Sequence, residues 1–362
     1  MSTHLPPDYP RHCWYVVATS DEVGEAPLGR RVLDTAIVLF RTCAGQIAVL
    51  EDRDAHRPYP LSTGRIEDDL LVCAYSGFAY GADGVCVRVP TQEQVPYGAR
   101  VRSFPVVEQD GLVWAWFAEP GLSQLRRPPR LPWLTSDPSG SSQAQTWSTF
   151  GDQWTTNANY LLLHKNLADI THIAMVDPVL APPVLSAGPV PQLDVEVTET
   201  TVSFRRDFEP AILAPWHAAL LGVSVEANFA QHERGQFISP GLWVDGWDVD
   251  LASEVATFTF THLITPVDRY STRHIWRVSR NFALDEQERR GNASQQLAPR
   301  FGDYYRAVQL ILETMQQVLS ADGPRLDIGV AADAASLQVE RIARRMVRDE
   351  TSRTSTIHQG ET

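Results

Sequence analysis

With 362 residues, the chain has room for two domains of ordinary size or one large one, and 43% apolar against 21% charged residues is the balance of a globular protein with a real core. A formal net charge of −13 excludes a nucleic-acid partner, since phosphate binding rests on clusters of Lys and Arg, and it disfavours anionic membrane surfaces. No apolar run approaches the ~18 residues needed to span a bilayer. The opening MSTHLPPDYPRH lacks the basic and apolar regions of an export signal, and Cys13, Cys43, Cys73 and Cys86 are too few for a disulfide scaffold, so a cytoplasmic location with reduced thiols is expected.

The first ~120 residues are rich in turns and short β-branched runs. Strands are expected at 14–18, 35–40, 47–50, 70–74, 85–89 and 112–117, punctuated by Ala44-Gly45 and Asp83-Gly84. This is the pattern of a small antiparallel β domain, over residues 1–125. The proline- and serine-rich stretch 126–145 reads as a linker. A second domain is expected over 146–350. It opens with helical character at 154–174, continues with strands at 192–208, 237–243, 255–264 and 274–281, and closes with amphipathic helices at 304–319 and 334–348. The alternation of VATFTFTHLI fits a sheet with one buried face. Residues 351–362 read as a frayed tail. The fold class is α+β.

The segment EDRDAHRPYPLSTGRIEDDLLVCAYSGFAYGADGVCVRVP, with His56-Arg57, Pro60-Leu61-Ser62, Gly64 and Cys73-Ala74-Tyr75-Ser76-Gly77, resembles the iron–sulfur segment of Rieske-type non-haem iron oxygenases of the vanillate demethylase and phthalate oxygenase kind. HCWYVVATSDEV, VRSFPVVEQDGLVWAWF, ITPVDRYSTRHIWRVSRNF and DIGVAADAASLQVERIARRMVRDE resemble further family segments in family order. The resemblance implies a Rieske-like N-terminal β domain, a C-terminal catalytic domain with an antiparallel sheet flanked by helices, and a homotrimer.

A Rieske centre takes two thiolates on one iron and two imidazoles on the other. The resemblance places Asp54 where a cysteine belongs, then His56 and Cys73, and then Ser76 where a histidine belongs. A carboxylate or a hydroxyl is a poor substitute for soft sulfur or imidazole. For the mononuclear iron, Asn166-Leu167-Ala168-Asp169-Ile170-Thr171-His172 matches the family motif. Its second histidine falls on Asp177, and its later carboxylate falls on Gln309, with Glu313 one turn on as the nearest acid. Losses at both centres imply that no cofactor is expected, and that the fold serves metal-independent, non-oxidative chemistry on a hydrophobic small molecule. Cyclisation, dehydration, isomerisation or a pericyclic step in secondary metabolism would suit it. Two alternatives stay open: an atypical oxidoreductase or monooxygenase with altered ligands, and a non-catalytic subunit of an oxygenase complex.

The candidate catalytic residues are His172, Asp177, Lys165 and Asp169. His172 is either a relic or a general base. Asp169 is expected to hydrogen-bond His172. Asp177 is either an acid in the pocket or a solvated loop carboxylate. Lys165, the single lysine of the chain, is either a catalyst or a surface residue beside a solvent-facing His164. Asn157, Tyr160, Asn166, Trp243, His262, Gln309 and Glu313 are expected around the pocket, with Trp247 open between pocket wall and core. The Asp245, Asp248, Asp250 spacing lacks the glycine and terminal glutamate of a calcium loop.

Overall fold

The computed structural model describes residues 9–124, 126–135, 146–284, 292–323 and 328–359. Half of the expected linker, 136–145, and the last three residues of the expected tail lie outside that set. The chain divides into two compact units. One takes the chain up to Arg130, with Thr265–Arg269 and the segment from Glu350 on; the other takes Leu131–Ile264 and Tyr270–Asp349.

The first unit is built from β1 (Trp14–Thr19), β2 (Leu28–Val32), β3 (Thr35–Arg41), β4 (Ile47–Glu51), β5 (Arg65–Glu67), β6 (Leu70–Val72), β7 (Ala79–Tyr80), β8 (Cys86–Arg88), β9 (Val106–Gln109) and β10 (Leu112–Trp116). They form three small sheets, ordered β1-β10-β9, β2-β3-β4 and β5-β6-β7-β8. Three hairpins close through two-residue turns in the left-handed region: Leu33-Asp34, Asp68-Asp69 and Asp110-Gly111. Such turns match the twist of the strands they join, and aspartate and glycine tolerate them best. The core packs Val38, Phe40, Leu50, Leu71, Tyr80 and Val101. The strand expected at 70–74 stops at Val72, because Cys73–Gly77 turns, with the Gly77 N–H donating to the Cys73 carbonyl at 3.0 Å.

Gly84 sits at φ +79°, and a Cβ there would lie 2.3 Å from the Val101 carbonyl oxygen. Both the conformation and the contact require glycine. Gly84→Ala is expected to cost about 2 kcal/mol or more, read as a lowered thermal midpoint, while Gly45→Ala, with open space around its Cβ, costs less.

The second unit holds β11 (Ser148–Thr156), β12 (Asp194–Val197), β13 (Val202–Ile212), β14 (Asn228–Ser239), β15 (Leu242–Asp250), β16 (Val255–Asp268) and β17 (Ser271–Arg280), a seven-stranded sheet ordered β11-β17-β16-β15-β14-β13-β12. Its helices are α1 (Tyr160–Leu167), α2 (Ile173–Val176), α3 (Pro215–Leu221), α4 (Asn292–Asp322) and α5 (Ala334–Gln359), the last belonging to this unit up to Asp349. The last of these stays helical through Gln359, where a frayed tail was expected.

The helix expected over 154–174 is three shorter pieces. Trp154–Thr156 pair with β17, α1 starts only at Tyr160, and a 3-10 turn, Ile170–His172, precedes α2. Local capping explains the break: Asn159 Oδ1 accepts from the Leu161 N–H at 2.9 Å, and Asp169 Oδ1 accepts from the Thr171 N–H at 3.0 Å. The strand expected at 237–243 is split: Phe237–Ser239 end β14, Leu242 and Trp243 begin β15, and Pro240-Gly241 make the turn between them.

The face that carries the site follows from strand periodicity. Phe258, Phe260 and His262 alternate along β16 and so share a side of the sheet. They pair in register with Trp247, Asp245 and Trp243 of β15, and Glu233 of β14 lies opposite Trp247. Helix α4 lays Phe301, Tyr304, Tyr305, Val308 and Leu312 inward, at helical spacing.

Candidate active site

These elements enclose a cavity of about 90 Å³. Aromatic rings from Trp216, Trp247, Phe258, Phe260 and Phe301 form much of its wall, and Asn166, His172, Glu233, Asp245, His262 and Tyr304 supply polar groups. An apolar cavity with a few converging polar side chains is the usual form of a small-molecule site.

His172 is held from both ring nitrogens. Its Nδ1 lies 2.7 Å from the Asp169 carbonyl oxygen, which can only accept, so Nδ1 carries the proton. Burial lowers the imidazole pKa below its ordinary value and keeps the ring neutral. The Nε2 lone pair therefore accepts, from the Tyr304 hydroxyl at 3.1 Å and the Asn166 amide at 3.2 Å. Asp169 reaches His172 through its backbone, not through its carboxylate as expected; that carboxylate is taken by the Thr171 N–H and hydroxyl.

A second polar group lies deeper. His262 Nδ1 is 3.0 Å from His274 Nε2, and Tyr305 packs edge-on against both rings. Asp245 accepts from the Trp243 indole N–H, and its other oxygen is 3.3 Å from His262 Nε2 without hydrogen-bond alignment. Burial pushes His262 down to about 3 and His274 well below its ordinary value, and lifts the Asp245 carboxyl well above the carboxylate range. The two imidazoles are neutral at neutral pH, and burial disfavours the charged form of Asp245.

Glu233 and Arg206 form the one fully buried ion pair at the cavity wall among the described residues. They face each other across β13 and β14, 2.9 Å apart, with side chains 3% and 2% exposed. Burial lifts the Glu233 carboxyl to about 7 against the opposing pull of Arg206.

Of the expected site residues, Asn166, His172 and His262 line the cavity, and so does Trp247. The others are placed elsewhere. The Asp177 carboxylate accepts from the N–H groups of Val179 and Leu180 at 3.1 and 2.9 Å, fixing the turn before Pro182. Lys165 pairs with Glu340 at 3.4 Å. Gln309 and Glu313 turn away from His172: Gln309 bonds the Thr155 carbonyl, and Glu313 accepts from the Asn157 N–H at 2.9 Å. Asn157 is exposed at that contact. Tyr160 and Trp243 are core residues behind the wall, and His164, expected at the surface, is fully buried with Nε2 donating to the Pro240 carbonyl at 3.0 Å. Tyr304, Tyr305, His274 and Glu233 were not anticipated. Alternation through β17 would have brought out His274, but a buried Arg–Glu pair on two separate strands leaves no local signal.

In the first unit, Asp54 is 2% exposed. It accepts from the Tyr80 hydroxyl on one oxygen and from the Arg57 N–H on the other, at 3.3 Å. Ser76 Oγ accepts from the Phe78 N–H at 3.2 Å, and His56 stacks on Phe78 at 5.2 Å. Cys73 is buried.

Residues 156–349 match the vanillate O-demethylase oxygenase C-terminal domain, more than half of the chain, and residues 13–105 match the Rieske [2Fe-2S] domain. The chain belongs to the Rieske-type oxygenase family. Its relatives include the iron–sulfur subunit of the toluene-4-sulfonate monooxygenase system of Comamonas testosteroni, 27% identical with 95% of this chain and 99% of the relative covered. The oxygenase component of dicamba O-demethylase from Stenotrophomonas maltophilia is 28% identical, with 91% and 96% covered. The crystal structure of dicamba monooxygenase bound to 3,6-dichlorosalicylic acid superposes with a TM-score of 0.83 at 26% identity, over 94% of this chain and 98% of the other.

Membership corrects two expectations. The relatives matched end to end are oxygenase components, so a metal-independent cyclase, lyase or isomerase is not supported for this Rieske-type chain. The expectation of no cofactor fails with it, because the family implies a [2Fe-2S] cluster and a mononuclear non-haem iron. Of the side chains that the sequence resemblance suggested as ligands, Asp54 bonds the Tyr80 hydroxyl, the Asp177 carboxylate bonds the Val179 and Leu180 N–H groups, and Gln309 bonds the Thr155 carbonyl. Among the described residues, no three His, Cys, Asp or Glu side chains converge as a metal site. No helix among them is long and apolar enough to cross a membrane.

Proposed function

We propose that this Rieske-type chain is an oxidoreductase, a monooxygenase or demethylase with altered metal ligands, acting on an apolar ring compound held in the cavity beside His172. The observation that carries the reading is likeness to oxygenase components over nearly the whole chain, combined with a cavity walled by aromatic rings at the place where the family motif puts His172. In this reading the chain's own residues bind and orient. The aromatic wall excludes water from the ring. Asn166 and Tyr304 keep the neutral His172 Nε2 in place, and the uncharged His262–His274 pair offers hydrogen bonds without a net charge. A separate reductase is the expected partner, and a homotrimer the expected assembly, both by family likeness.

The test is iron and acid-labile sulfide content with an absorption spectrum on protein purified without oxygen, followed by turnover of aromatic ethers and alkylbenzenes with NADH and a reductase of this family. Bound iron with reductase-dependent product supports the proposal. Iron-free protein without reductase-dependent turnover overturns it.

A further inference from the structure

A second, outer cavity of about 610 Å³ lies between α3, α4 and the segments after β15 and β17, walled by Leu220, Leu251, Phe282, Leu297, Glu254 and Arg300, among others. Trp216 lines both this cavity and the inner one. Its indole stacks on His217, with ring centroids 5.0 Å apart, and meets Phe258 at 6.0 Å and Phe301 at 6.2 Å, rings that belong to the inner wall. The Arg300 guanidinium, part of the outer wall, stands 6.0 Å from the indole.

We infer that Trp216 is the specificity-determining partition of this enzyme: it confines the substrate to a single ring in the inner cavity and shuts off an outer subsite that fits a second apolar ring. The inference rests on the inner cavity being the substrate site. The indole is held by packing alone. Its Nε1 is buried and has no hydrogen-bond partner, so no polar bond fixes the partition where it stands. The helix that carries it, α3, is short and defined at both ends, by Pro215 at its first position and by Gly222 in the left-handed conformation (φ 68°) after its last. The side chain can therefore be shortened without unravelling its support. The outer walls are mixed: leucines and Phe282 for an apolar ring, Glu254 and Arg300 for polar substituents at its far end. Burying a second aromatic ring is a large apolar gain once the two spaces are joined.

The experiment is calorimetric titration of p-cresol and 4-phenylphenol into the full chain as wild type, Trp216→Ala and Trp216→Phe, with thermal midpoints recorded to show that each variant is folded. In Trp216→Ala, 4-phenylphenol is expected to bind on the order of tenfold more tightly while p-cresol changes by less than about threefold, with Trp216→Phe in between. If the two ligands shift together, or 4-phenylphenol does not tighten in either folded variant, the partition is wrong while the inner site stands. If p-cresol does not bind the wild type, the inner-site reading falls and the inference falls with it.

Discussion

Arg206→Leu is expected to lower the unfolding free energy at pH 9 by about 2–3 kcal/mol, because without the guanidinium the buried Glu233 must take up a proton from alkaline solvent to stay in the fold, and by much less at neutral pH. Both side chains are almost wholly buried, so neither water nor salt can replace the lost partner. The desolvation that lifts Glu233 to about 7 with Arg206 present would be opposed by nothing once the guanidinium is gone. The double variant Arg206→Leu/Glu233→Leu removes both charges and is expected to regain most of the loss. Urea unfolding of the two single variants and the double variant at pH 9 measures the coupling. Arg206→Leu within about 1 kcal/mol of wild type at that pH contradicts the argument. Because Glu233 lines the cavity, the pair also holds the β13–β14 edge of the site in register.

Stability is also expected to fall as pH drops below about 6.5. His164, His217, His262 and His274 are buried, and burial holds the first two at about 4, His262 at about 3 and His274 well below its ordinary value. The unfolded chain takes up protons near pH 6.5 that the folded chain refuses, so stability is lost with acid, by about 2 kcal/mol at pH 5 for each of His164, His217 and His262, and in the same direction for His274. Asp245 and Glu233 act in the opposite sense. Their raised carboxyls hold protons in the fold that the unfolded chain has released, so they favour the folded state toward lower pH. The lowered histidines outnumber the raised carboxyls, so unfolding takes up protons on balance between pH 5 and 6 and stability falls with acid. Urea unfolding from pH 5 to 6.5 gives this slope directly, and a flat or reversed slope would refute the assignment of neutral buried histidines. Removing one of the four by His274→Phe should reduce the slope by about one proton.

Both expectations rest on residues that the sequence did not single out for these roles. The sequence by itself determined the α+β class and six of the ten strands of the first unit, because β-branched runs and turn signals such as Asp83-Gly84 are local and have local causes; the short strands β2, β5, β7 and β9 carry too little pattern to show. It also determined the family, through segments spread along the whole chain, and placed His172 and Asn166 next to each other, since six residues separate them on one short stretch. Its reading of chemistry from missing ligands went too far. A ligand position read from sequence says which donor atom is there, not what else the scaffold does, and the end-to-end likeness to oxygenase components outweighs it.

Only the tertiary structure decided what faces the cavity. Asp177 and Asp169 spend their carboxylates on nearby backbone N–H groups, as short acidic side chains at turns do, and Gln309 and Glu313 lie on the wrong side of α4. The inward side presents Tyr304, three-dimensionally adjacent to His172 but 132 residues away in the chain. The same is true of Glu233 with Arg206, His262 with His274, and Trp216 with Phe301. Each pair is made by strand register or helix packing between distant segments, and such contacts have no periodicity or spacing within a single segment to reveal them.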